Sequence, residues 1–285
     1  MYESMRGILA KANEEGYAVM AINAFNLESA AGVIHAAAQM DAPIIIDLLQ
    51  DHVKAYFDCD VLAAPLIKMA QRVHVPVAIN LDHGSDVAHL KRCLHEGFSS
   101  VMVDASMRPF NENVGITRSV VEFAQQFGAS VEAEVGGMGL VQEGSGFTST
   151  GMYTNPDDAI AFIEQTGIDA LAVSYGSSHG AYPEGYVPEF RFDIVEKIKA
   201  ATGIPLVLHG GSGTTPETIK RSIACGINKI NVGTDYMIAQ RTFIAHALSE
   251  QPDYDYPELI HRSYLAGAAV IERYIELSGS QGKAR

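Results

Sequence analysis

Apolar residues in this chain follow two alternating patterns. Short runs rich in β-branched residues occur at Ala18–Ile22, Pro43–Leu48, Val75–Leu81, Ser100–Asp104, Ser130–Val135, Ala170–Tyr175, Pro205–Leu208 and Ile227–Val232. Each has the length and composition of a buried strand. Between them lie amphipathic stretches of helical length, such as Leu27–Met40, Val87–Glu96, Val114–Phe127, Asp157–Thr166 and Pro216–Cys225. Regular strand–helix alternation implies a parallel sheet. Eight such units predict an α/β fold, a (β/α)8 TIM barrel, as a single domain over residues 1–285. Ile238–Leu248 and Leu259–Leu277 read as extra C-terminal helices beyond the last strand. An open doubly wound sheet is the alternative, but no G-x-G-x-x-G follows the first strand. Gly136–Tyr153 (GGMGLVQEGSGFTSTGMY) has little periodicity and reads as a long loop, either disordered or functional.

In such a barrel the chemistry sits where strands end. Strand three ends in Asp82 and His83, strand four in Asp104, strand five in Glu132 and Glu134. Strand six runs into SYGSSHG with His179, strand seven into LHGGSG with His209, and strand eight into INVGTD with Asn231, Thr234 and Asp235. Three strands thus deliver a histidine to one rim, each followed by glycine. Three imidazoles suit a divalent metal with an open coordination position, most simply zinc. The other histidines, His35, His52, His74, His89, His95, His246 and His261, fall on helices or turns and read as structural or solvated. Glycine-rich turns after strands seven and eight expose backbone N–H groups and open helices, which suits a phosphate.

Composition narrows the possibilities. The hydrophobic fraction of 47% supports a large core. With 34 acidic and 20 basic residues the net charge is −14, and no basic stripe appears, so nucleic acid is not an expected partner. No apolar run reaches the roughly 18 residues of a membrane span, and no membrane partner is expected. The first residues, YESMRGILAKANEEG, are amphipathic and charged, unlike a secretory leader. Cys59, Cys93 and Cys225 form no C-x-x-C motif and read as buried small hydrophobes in a reducing cytoplasm.

A metal that chelates a ketone and its neighbouring hydroxyl stabilises an enediolate. Asp82, next to His83, is placed to move the accompanying proton, or to orient the histidine. Metal, base and phosphate grip together point to carbon–carbon cleavage or isomerisation of a phosphorylated ketose.

At these residues the chain resembles the class II, zinc-dependent ketose-bisphosphate aldolases, the family of the fructose- and tagatose-bisphosphate aldolases. The matching motifs run nearly end to end: AFN at Ala24–Asn26, LDHG at Leu81–Gly84, GFSSVMVDAS at Gly97–Ser106, VEAEVG at Val131–Gly136, SSHG at Ser177–Gly180, PLVLHGGSG at Pro205–Gly213, KINVGTD at Lys229–Asp235 and GSQGKA at Gly279–Ala284. The resemblance implies a lyase that reversibly splits a ketose (bis)phosphate into dihydroxyacetone phosphate and an aldehyde. It implies His83, His179 and His209 as ligands of one catalytic Zn2+, with a second or alternate metal position at Asp104 and Glu134, and a monovalent cation as a further possibility. Asp82 would be the proton-transferring acid/base, with Asn26 positioning it or the substrate. Gly180, Gly210, Gly211, Ser212, Asn231, Gly233 and Thr234 would surround the phosphate. The resemblance also implies a homodimer or homotetramer.

Three departures bear on the substrate. In the long loop, Gln142 stands where the family's glutamate is expected and Glu143 beside it, so Glu143 is the substitute acid. At the end of strand two, Leu49 replaces a common serine. Ala268 stands where members that bind a phosphorylated aldehyde carry Arg or Lys. An aldehyde half without phosphate, acidic or sulfonated, is therefore an alternative, unless Arg191 or Arg262 supplies the charge. Two other readings compete. Lys229 shares a strand face with Asn231 and would serve a metal-free Schiff-base aldolase. A non-catalytic paralogue is the other, although it has no need of Asp82 and the full histidine set.

Overall fold

The computed structural model describes residues 1–136, 153–177 and 189–284. Eight parallel strands, β1 (Val19–Asn23), β2 (Ile44–Leu49), β3 (Val77–Gly84), β4 (Ser100–Val103), β5 (Ser130–Val135), β6 (Ala170–Val173), β7 (Leu206–Leu208) and β8 (Ile227–Val232), pair in sequence order, and β8 closes onto β1. The expected TIM barrel is the observed fold. Its helices are α1 (Met5–Glu15), α2 (Leu27–Gln39), α3 (Gln50–Tyr56), α4 (Cys59–Gln71), α5 (Val87–His95), α6 (Phe110–Ala124), α7 (Pro156–Thr166), α8 (Phe192–Thr202), α9 (Pro216–Cys225), α10 (Thr234–Glu250) and α11 (Tyr256–Ser278).

Local chemistry explains the boundaries. Proline opens α7, α9 and α11, where its missing N–H costs nothing, and Asn155, Thr215 and Asp255 cap those helices. Glycines in the left-handed region close α1, α7, α8, α9 and α11. The pattern of the sequence names neither α3 nor α4. Helix α3 is only 7 residues long. Helix α4 holds Pro65, which reads as a breaker, and its buried Leu62, Ala63 and Leu66 keep the turn in place.

Two packing features set the site. Met5, Ile8, Leu9 and Ala12 form the buried stripe of α1. That stripe packs with Val19, Ala21, Ile45, Ala78, Met102, Ala172 and Val207, and so plugs the N-terminal mouth of the barrel. Only the opposite mouth is left for chemistry. On the outside, α2, α10 and α11 meet around buried Tyr236, whose hydroxyl donates to the Ser29 carbonyl at 2.7 Å. Glycine permits this approach: a Cβ on Gly32 would lie 2.6 Å from the Tyr236 hydroxyl and 3.0 Å from the Tyr264 carbonyl.

Gly32→Ala is therefore expected to destabilise by about 1–3 kcal/mol through overpacking. Gly7→Ala, on the exposed face of α1 with nothing within 4 Å, is expected to stabilise by about 0.5–1 kcal/mol. Urea unfolding of the two variants beside the parent checks both signs.

Candidate active site

Side chains along a strand alternate between the barrel's inside and outside. This period sorts the interior into layers. Above the apolar plug come Asp47, Asn80, Glu132 and Lys229, all buried. One step further along the strands come Asn23, Leu49, Asp82, Glu134, His209 and Asn231, which line a cavity of about 420 Å³.

The polar layer is a continuous charge-paired unit. The Lys229 ammonium is 2.8 Å from Glu132 and 3.4 Å from Asp47. Asn80 donates to Asp47 at 2.8 Å. Burial favours the neutral amine, but Asp47, Glu132 and Asp82 outweigh it and hold Lys229 above the usual lysine range. A lysine kept protonated is a poor imine-forming nucleophile. It also does not line the cavity. Both observations count against the Schiff-base reading.

Above that layer, two imidazoles face each other, with His209 Nδ1 3.0 Å from His83 Nε2. The outer nitrogen of each ring meets a carboxylate: His83 Nδ1 lies 2.8 Å from Asp104, and His209 Nε2 lies 2.8 Å from Glu132. Those carboxylates claim the ring N–H groups, as the second partners of metal-bound histidines do. Two lone pairs then converge at 3.0 Å, an arrangement that needs a cation between them. Burial disfavours the His83 imidazolium, yet Asp82, Asp104 and Glu134 push its pKa up to about 10. The donor set fits a divalent metal: the ligand atoms of Asp82, His83 and His209 lie within 4.8 Å of one another, and so do those of His83, Asp104 and Glu134.

Regular alternation would point Asp82 and His83 to opposite faces. The strand breaks the rule here. His83 has φ of 51°, in the left-handed region, and the β3–β4 register shifts between Leu81 and Gly84. Gly84 makes the bulge possible, because a Cβ there would lie 2.7 Å from the Met102 carbonyl. The strained turn brings both neighbours into one cavity.

Asp82 accepts from Asn23 Nδ2 at 2.9 Å and from Asn231 Nδ2 at 3.3 Å. Burial pushes its carboxyl up, but His83, His209, Lys229 and the Asn23 hydrogen bond outweigh it and hold the pKa below the usual range. Asn26 does not reach Asp82. Its side chain accepts from the Ser29 amide at 2.8 Å, while Ser29 returns a bond to the Asn26 backbone, so Asn26 is the cap of α2. Asn23 stands in its place. Strand period is the signal that separates the two, since Asn23 lies on β1 and Asn26 beyond it.

Among the glycine-turn residues, Gly210, Ser212, Asn231, Gly233 and Thr234 line the cavity. Gly211 does not. Its N–H donates to the Asn231 carbonyl at 2.9 Å, and a Cβ there would meet that carbonyl at 2.8 Å. Gly211 therefore ties the β7 turn to β8. Gly233 caps α10 without a side-chain bond, and leaves a helix N-terminus at the cavity wall. His179, Gly180, Gln142 and Glu143 lie outside the described residues.

The cavity is also lined by His52, Ser106, Met107 and Met237, beside Leu49, and the strand-end pattern names none of these four. No Lys or Arg lines the cavity among the described residues. Segments 137–152 and 178–188 contain none in sequence. Ala268 is buried in the core, Arg262 pairs with Glu258 at 2.6 Å, and Arg191 pairs with Asp193 at 2.9 Å.

Comparison with known proteins gives a consistent result. A family profile described as fructose-bisphosphate aldolase class-II matches residues 3–283. A probable fructose-bisphosphate aldolase of Bacillus subtilis is 40% identical over 267 residues, covering 93% of this chain and 91% of that protein. A D-tagatose-1,6-bisphosphate aldolase subunit of Klebsiella oxytoca is 36% identical over 284 residues, covering 98% of each. Among solved structures, the YdjI aldolase from Escherichia coli K12 superposes with a TM-score of 0.88 at 33% identity, covering 100% of both chains. The chain belongs to the class II fructose-bisphosphate aldolase family and is a carbon–carbon lyase.

Proposed function

We propose that the protein reversibly cleaves a ketose phosphate into dihydroxyacetone phosphate and an aldehyde at the cavity between β3, β7 and β8. The observation that carries this reading is the pair of imidazole nitrogens facing each other beside Asp82, each ring oriented by a carboxylate. His83 and His209, with His179 from outside the described residues, would hold a divalent ion, typically zinc in this family. When bound, that ion supplies Lewis-acid polarisation of a ketone oxygen. Asp104 and Glu134 would offer an alternate metal position through His83.

The chain's own residues do the rest. The phosphate end rests on the Gly210–Ser212 turn and the Gly233–Thr234 end of α10, where backbone dipoles favour an anion. Asn231 Oδ1 is buried without a hydrogen-bond partner among the described residues, and is placed to accept from a substrate hydroxyl. In cleavage, Asp82 takes the proton from the hydroxyl on the carbon that becomes the aldehyde. The C–C bond breaks as the new C=O forms, and its electron pair passes to the ketone half. Asn23 and Asn231 hold Asp82 in line for that transfer. Glu143 is the acid proposed to exchange the carbon-bound proton of dihydroxyacetone phosphate. Among the described residues no Lys or Arg lines the cavity, which favours an aldehyde half without a phosphate, held against Leu49, His52 and Met107. The three free thiols fit a cytoplasmic enzyme. Exposed Tyr56, Phe57 and Val61 offer apolar surface for a homodimer or homotetramer. No described helix is long and apolar enough to cross a membrane.

Proton NMR of dihydroxyacetone phosphate in D2O is expected to show stereospecific loss of one hydroxymethyl hydrogen, abolished by a chelator. Exchange that survives complete metal removal would overturn the reading. Asp82→Ala is expected to slow carbon–carbon cleavage by about 10²–10⁴-fold. Glu132→Gln is expected to weaken metal retention about 10–100-fold, measured by competition with a chromophoric chelator. In an acceptor screen, unphosphorylated aldehydes should match or exceed their phosphorylated counterparts in kcat/KM. A preference of about tenfold the other way, roughly 1.4 kcal/mol, would refute an unphosphorylated aldehyde half.

A further inference from the structure

A second group of metal-ligating side chains lies on the outside of the barrel, remote from the cavity. Cys59 is the first residue of α4, while His89 and Cys93 share one face of α5 at i, i+4 spacing. The fold brings together two cysteines that are 34 positions apart in sequence, a spacing that matches no familiar metal motif. The ligand atoms of all three residues lie within 4.8 Å of one another, and Cys93 Sγ is already 3.6 Å from His89 Nε2. Tetrahedral zinc with bonds of about 2.0–2.3 Å requires ligand separations of about 3.3–3.8 Å. Small side-chain rotations therefore close the set. All three residues are buried.

We propose that Cys59, His89 and Cys93 form a second zinc site, apart from the catalytic cavity. Asp58 Oδ1 accepts from the Cys59 amide at 2.7 Å, and its other oxygen is held by Arg92 at 2.6 Å. Two thiolates balance a divalent ion, as a buried site needs, while Arg92 pairs with Asp58 and Asp60 beside them. On binding, two S–H bonds break, two zinc–sulfur bonds form, and both protons pass to solvent. Because α4 and α5 flank β3, zinc here clamps the two helices on either side of the strand that carries Asp82 and His83. Cys225 stays apart, on α9 beside Glu196.

Cobalt(II) serves as the probe, because only a thiolate ligand gives it an intense near-ultraviolet charge-transfer band, and the cavity site offers nitrogen and oxygen alone. The full chain, stripped of metal and kept reduced with a phosphine, is titrated with cobalt(II). Two equivalents are expected to bind, and the charge-transfer band should accompany one of them. The band should persist in Cys225→Ser and be lost in Cys93→Ser and Cys59→Ser, each variant then retaining one equivalent. Wild-type protein that binds cobalt with no such band overturns the proposal, without reliance on any variant folding. A band that survives Cys93→Ser and Cys59→Ser also overturns it.

Discussion

The Lys229 ammonium, enclosed with Asp47 and Glu132, is the interaction on which the rest of the centre depends. An ammonium enclosed in a barrel survives only if carboxylates accompany it, and breaking such a set by removing one partner is strongly destabilising. One of those carboxylates, Glu132, spends its other oxygen on His209. The core charge pair and the ring orientation at the cavity are therefore one structure. Strands β2, β5, β7 and β8 must hold their register for the pair to form, and the same register aims His209 at His83.

This coupling explains how a strongly acidic cavity coexists with a stable barrel. Asp82, Asp104 and Glu134 repel one another unless cations intervene. Lys229 provides one from below. A cation between the two imidazoles provides the other. The His83 turn, with its left-handed backbone, is held by the bulge against β4, so the strain sits where two neighbouring side chains must serve the same space.

Much of this was legible in the sequence. The strand pattern located all eight strands to within a few residues, because buried parallel strands are short apolar runs bounded by turn residues. Strand ends named Asp82, His83, Asp104, Glu134, His209 and Asn231, since the barrel's geometry sends them to one rim. Asn23 and Gly211 were harder. Asn23 and Asn26 sit three residues apart in AINAFN, and the choice between them depends on where β1 ends and the α2 cap begins. Gly211 reads as one glycine among three, and only the distance to the Asn231 carbonyl separates a tie from a binding group.

The sequence by itself determined the architecture, the family and the inventory of ligands, because hydrophobic periodicity and strand-end chemistry are local properties. Tertiary structure decided partnerships. That Lys229 lies between two carboxylates, that Asp82 and His83 share a cavity despite strand alternation, and that Cys59 meets His89 and Cys93 are facts about residues distant in the chain or held in an irregular backbone. Pairings of this kind arise from closure of the barrel and the packing of its outer helices, to which local pattern is blind.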